Sequence, residues 1–130
     1  MSSRLLLVAL FAVMFLSGCS NTLNPLCGSA RPAPLIGSLS PSTVSFAQVQ
    51  EGVMLTVNGS QFISSSELVI NGKPLSATIV SSQQLKIMLT TSVISHPGAV
   101  NVSVLTPSGN SGDVGCTSGG KSSVLTLTVN

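Results

Sequence analysis

The chain has no tryptophan, no tyrosine and only four phenylalanines in 130 residues. Phe11 and Phe15 belong to an N-terminal apolar run, so Phe46 and Phe62 are the only rings left for a folded domain. Its core must then be built from Val, Leu and Ile, and a chain rich in these residues, Ser, Thr and Gly suits strands better than helices. Charge is equally scarce, with five basic and three acidic side chains. No basic stripe exists, which excludes nucleic acid as a partner. Acid–base chemistry needs titratable groups brought together, yet His96, Asp113, Glu51 and Glu67 are scattered in sequence. His96 stands beside Pro97-Gly98 and reads as a solvated turn residue. There is no Gly-x-Ser-x-Gly elbow, and Cys27 and Cys116 with one distant histidine do not form a metal-ligand spacing. The expectation is a non-enzymatic protein with no catalytic residue, no metal and no cofactor.

What the chain does have begins at its N-terminus. Arg4 precedes Leu5 to Leu16, an unbroken apolar stretch the length of a secretory h-region. A spanning helix needs about 20 such residues, so this one is too short. Directly behind it stands Leu16-Ser17-Gly18-Cys19. That run resembles the lipobox of bacterial lipoproteins, which implies cleavage before Cys19, a thioether-linked diacylglycerol on its sulfur and an acyl group on the new amino terminus. At about 0.8 kcal/mol per buried methylene, three chains hold a protein on a membrane almost permanently. The same run also suits an ordinary secretory peptide cleaved near Gly18, which leaves Cys19 a plain thiol. The resemblance places the chain on the bacterial cell envelope. Ser20, a non-acidic residue after the cysteine, favours the outer membrane if the host is diderm.

Residues 1–18 are thus expected to be a lipoprotein signal peptide and residues 19–33 a lipidated, flexible tether carrying Pro25 and Pro32. Residues 34–130 form one domain. Its punctuation is all-β. Pro34 to Leu39 reads as a strand stopped by Ser40-Pro41-Ser42, with Thr43 to Phe46 continuing on the other sheet. Val53, Leu55 and Val57 alternate with Met54, Thr56 and Asn58, and Leu85, Ile87 and Leu89 with Lys86, Met88 and Thr90. Asn71-Gly72 is a strong hairpin signal, with Leu68 and Ile70 before it and Ala77 to Val80 as the answering strand. Val100, Val102 and Val104, then Leu125, Leu127 and Val129, repeat the alternation. No helical periodicity is visible after the signal segment. About seven short strands at this spacing predict an antiparallel β-sandwich.

The ordered segments resemble the IPT/TIG family of immunoglobulin-like domains. The resemblance rests on Ile36-Gly37-Ser38-Leu39-Ser40-Pro41-Ser42, Leu55-Thr56-Val57-Asn58-Gly59-Ser60-Gln61-Phe62, Leu68-Val69-Ile70-Asn71-Gly72, Pro97-Gly98-Ala99-Val100-Asn101-Val102-Ser103-Val104 and Thr106-Pro107-Ser108-Gly109. In this reading Gly59 permits a reversal after its strand and Phe62 plugs one end of the sandwich. Asn110 to Lys121 departs from the pattern, being longer than a plain hairpin needs. It contains Cys116. In an exported chain with Cys19 lipidated, Cys27 and Cys116 are the remaining pair, and a disulfide between them is expected; two free thiols, or pairing with another chain, are the alternatives. The implied function is an envelope protein-interaction or structural module with a protein partner. A carbohydrate- or polymer-binding module is the alternative, disfavoured because sugars are usually gripped by exposed aromatic faces. The oligomeric state stays open.

Overall fold

Strands appear where one face of the alternation is apolar and the other wet. The computed structural model describes residues 31–108 and 119–130. Cys19, Cys27 and Cys116 lie outside them. In chain order the elements are β1 (Leu35–Ser40), β2 (Thr43–Val44), α1 (Phe46–Glu51), β3 (Val53–Ser60), β4 (Glu67–Ile70), β5 (Lys73–Ser76), β6 (Thr78–Ser81), β7 (Gln84–Leu89), β8 (Gly98–Thr106), β9 (Gly120–Lys121) and β10 (Leu125–Val129). One sheet has the order β1-β3-β7-β6, and the other β2-β10-β8-β4-β5 with β9 added to β8. Neighbours are antiparallel except β2 and β10, which run parallel. The core between the sheets is aliphatic, with Leu55, Val57, Leu68, Leu85, Leu89, Val102, Val104 and Leu127 fully buried. It is an immunoglobulin-like all-β sandwich.

Three local expectations are corrected. Phe46 does not extend β2; it opens the helix α1, and its N–H donates to the Asn130 carbonyl at 2.7 Å. Ser45 and Gln48 form a capping box in which each side-chain oxygen accepts the other residue's backbone N–H, at 3.2 and 2.9 Å. That pairing satisfies two of the first-turn donors and fixes where the helix starts. Val49 is buried, and Gly52, at φ 90°, ends the helix. Replacing Ser45 with alanine is expected to cost about 1 kcal/mol, read as a lowered urea midpoint with an unchanged slope.

The second correction concerns the hairpin. Asn71 and Gly72 do turn it, at φ 48° and 83°, and the Asn71 side-chain oxygen accepts the Asn101 N–H at 2.9 Å. The answering strand, however, is Lys73–Ser76, paired Ile70 to Lys73 and Glu67 to Ser76. At Ala77 the chain crosses to the other sheet, so β6 pairs with β7 instead. Third, Gly59 makes no reversal: it lies within β3 opposite Ile36, and the positive φ falls on Gln61, at 62°. A side chain at Gly59 would collide with the Leu35 carbonyl and the Phe62 ring. Glycine is needed there for close approach.

Candidate functional site

The outward face of the four-stranded sheet is set by register. Ser38, Asn58, Gln84 and Ser81 make one row across all four strands, and Ser40, Thr56, Lys86 and Thr78 the next. Within the first row the Gln84 amide donates to Asn58 Oδ1 at 3.1 Å, and the Asn58 amide to Ser38 Oγ at 3.4 Å. Met54 and Met88, directly opposite each other, make a third row and are about half exposed. This face is polar and almost neutral, with Lys86 the single charge in the three rows.

One end of the sandwich gathers the N-terminal segment and the base of the long insertion. Arg31 accepts the Gly119 N–H on its carbonyl at 2.8 Å and donates from its guanidinium to the Pro107 carbonyl at 3.0 Å. Close by, β9 extends β8 through Leu105–Lys121 and Thr106–Gly120. The Ser122 Oγ accepts the Val104 N–H at 2.8 Å and donates to the Ser123 carbonyl at 2.7 Å. Ser66 and Thr106 share a buried hydroxyl hydrogen bond of 2.8 Å. Buried hydroxyls satisfied in this way tie the two flanks of the insertion to the sheet. Sequence reasoning missed this clasp, since Arg31 and Pro107 are 76 positions apart and neither carries a local signal.

His96 is exposed, with Nδ1 3.0 Å from the Pro97 carbonyl oxygen. Glu51 ends α1 and Glu67 begins β4, so these three titratable groups sit on separate parts of the fold. Among the described residues no cluster of His, Cys, Asp and Glu could hold a metal ion, and no helix is long and apolar enough to cross a membrane. Phe62 is buried and Phe46 packs half-buried against the core. Neither ring offers a sugar an open face.

An immunoglobulin-like sandwich with its flank-pinned insertion and polar sheet face defines a β-module. The IPT/TIG domain family model matches residues 34–126. The chain belongs to the IPT/TIG domain family. Among solved structures it is similar to an auxiliary nutrient binding protein from Bacteroides ovatus, at 17% identity and a TM-score of 0.45, covering 77% of this chain and 21% of that one. The chain thus spans about a fifth of that protein's length. It is also similar to the TIG domain of human nuclear factor of activated T-cells, cytoplasmic 4, at 23% identity and a TM-score of 0.44, covering 76% of this chain and 88% of that one. No curated protein matches the sequence.

Proposed function

We propose that this chain is a non-enzymatic lipoprotein of the bacterial cell envelope, anchored through lipid on Cys19, whose IPT/TIG domain serves as a protein-interaction or structural module. The observation that carries the reading is the clasp at Arg31. It ties Arg31 to Pro107 and Gly119, so the described chain enters the domain at the end where the flanks of the insertion meet, and an anchor on Cys19 would stand twelve residues before that point. The rest of the sandwich is left for a partner. The polar sheet face and the half-exposed methionines Met54 and Met88 supply contact area there.

The reading includes a disulfide between Cys27 and Cys116. If both tether and bridge are as proposed, only Ser20 to Leu26 stay free, a reach of about 25 Å at 3.3–3.6 Å per residue, against about 36–40 Å for Ser20 to Ala30, the stretch before the clasp. Two measurements test the function. Cys19→Ser is expected to move the protein from the membrane to the soluble fraction of a cell lysate and to abolish incorporation of labelled palmitate. Envelope crosslinking of the unaltered chain is expected to recover a specific protein partner, whereas a variant that stays on the membrane without label sinks the anchor.

A further inference from the structure

The ladder between β6 and β7 stops short. It pairs Ser81 with Gln84, Ile79 with Leu85 and Thr78 with Lys86, while β7 itself runs on to Leu89. On its other side β7 stays paired with β3 through Ile87, Met88 and Leu89. Among the described residues the second half of β7 is therefore a sheet edge with no strand beside it, because the chain arrives from β5 in the opposite sheet only at Ala77. A groove opens in that space, lined by Ala77, Thr78, Lys86, Met88 and Val93 among others.

Backbone direction identifies what faces this groove. The Gly59 N–H donates to the Gln83 carbonyl at 2.9 Å, which turns residue 83 toward β3. Along an extended strand the direction alternates, so residues 84, 86 and 88 present their N–H and C=O toward the β6 side. Past Lys86 that side is bare, and Met88 is the residue whose backbone meets it. An unpaired edge of this kind accepts another extended backbone. The other edges are interrupted or short: β5 carries Lys73 and Pro74, β1 is broken by an irregularity at Gly37, the outer edge of β6 by one between Ile79 and Ser81, and β2 has two residues.

Side-chain chemistry narrows the occupant. Among the described residues Lys86 is the single charged one lining the groove, and no acidic side chain lines it. Met88, 48% exposed, is unbranched and adapts to what packs on it. We infer that the groove beside Ile87–Leu89 is a strand-addition site for an extended, acidic segment of a partner protein, a proposal that rests on the interaction-module reading and gives it a surface.

The probes are synthetic heptapeptides of alternating threonine and valine, titrated into the full chain with the backbone amide signals followed by NMR. One carries a central aspartate, one a lysine in its place, and two carry the aspartate with N-methyl groups on every second amide, in the two opposite phases. The aspartate peptide is expected to shift the signals of Lys86 to Val93, and the lysine peptide to bind about threefold weaker. One methylated phase is expected to bind at least tenfold weaker and the other unchanged, because a strand bonds along one edge only. Lys86→Glu is expected to reverse the order of the aspartate and lysine peptides. Shifts confined to other surfaces, equal binding of both methylated phases, or no binding overturn the proposal. So does a loss of the Met88 signal with protein concentration alone, which assigns the edge to a second copy. A specific crosslinked partner on another face overturns the groove and leaves the interaction module standing; no crosslinked partner at all sinks the module itself.

Discussion

Gly59→Ala is expected to destabilise the domain by about 3 kcal/mol or more. The added Cβ would lie 2.0 Å from the Leu35 carbonyl oxygen and 2.6 Å from Phe62 Cζ. Neither neighbour can yield cheaply. Leu35 is backbone in β1, paired with Ser60 next door, so moving it opens the β1–β3 ladder, where each lost bond costs about 1 kcal/mol. Phe62 is 3% exposed and fills the core at the end of the same sheet. Gly37→Ala is the control, since its Cβ would meet nothing nearer than the Asn58 carbonyl at 3.5 Å, an ordinary contact. In reversible thermal unfolding, 3 kcal/mol corresponds to a midpoint drop of roughly 12–24 °C for a domain of this size. Equal midpoints for Gly59→Ala and the unaltered chain would show that the strands separate without cost.

Reduction of the proposed Cys27–Cys116 bridge is expected to lower stability by about 4 kcal/mol. The chain-entropy model gives roughly 4 to 5 kcal/mol for a closed loop of about ninety residues. The described flanks support the pairing. Cys27 stands four positions before Arg31 and Cys116 three before Gly119, and Arg31 accepts the Gly119 N–H at 2.8 Å. From there segments of three and four residues reach at most about 11 and 14 Å, ample to bring two Cα atoms within the roughly 4.4–6.8 Å a disulfide needs. Peptide mapping without reductant should yield one crosslinked pair holding both cysteines, and the Cys27→Ser, Cys116→Ser double variant should unfold at a lower denaturant concentration. Quantitative alkylation of both thiols in the unreduced protein is the result that removes the bridge.

Alternation made β3, β7, β8 and β10 legible, because each has one apolar and one wet face, and Asn71-Gly72 announced its own turn. The helix was not legible by period: six residues with Val49 as the one buried position leave no repeat to detect. Its signal was the cap, Ser45 with Gln48 three residues on, which periodicity cannot register. The crossing at Ala77 was hidden for another reason. The apolar run Ala77 to Val80 reads as the strand that answers Leu68 and Ile70, and only the partners in space show that Lys73–Ser76 takes that place while Thr78–Ser81 joins β7. Gly59 and Arg31 owe their roles to contacts far away in sequence, with Leu35 in the next strand and with Pro107 and Gly119. No local pattern encodes such roles. For the lipid proposed on Cys19, by contrast, the sequence motif is the starting point.

The direction of β8 sets how far apart the two ends of the domain stand. Its nine residues, Gly98–Thr106, run from the end that holds α1 and His96 to the end clasped by Arg31, about 30 Å at 3.3 Å per residue. β7 ends at Leu89, opposite Val53 just after α1, so its bare half lies toward the end far from the clasp. With the anchor as proposed, a partner rooted in the same membrane needs a stalk of comparable length to lay a strand there. A partner arriving from solution meets that edge first.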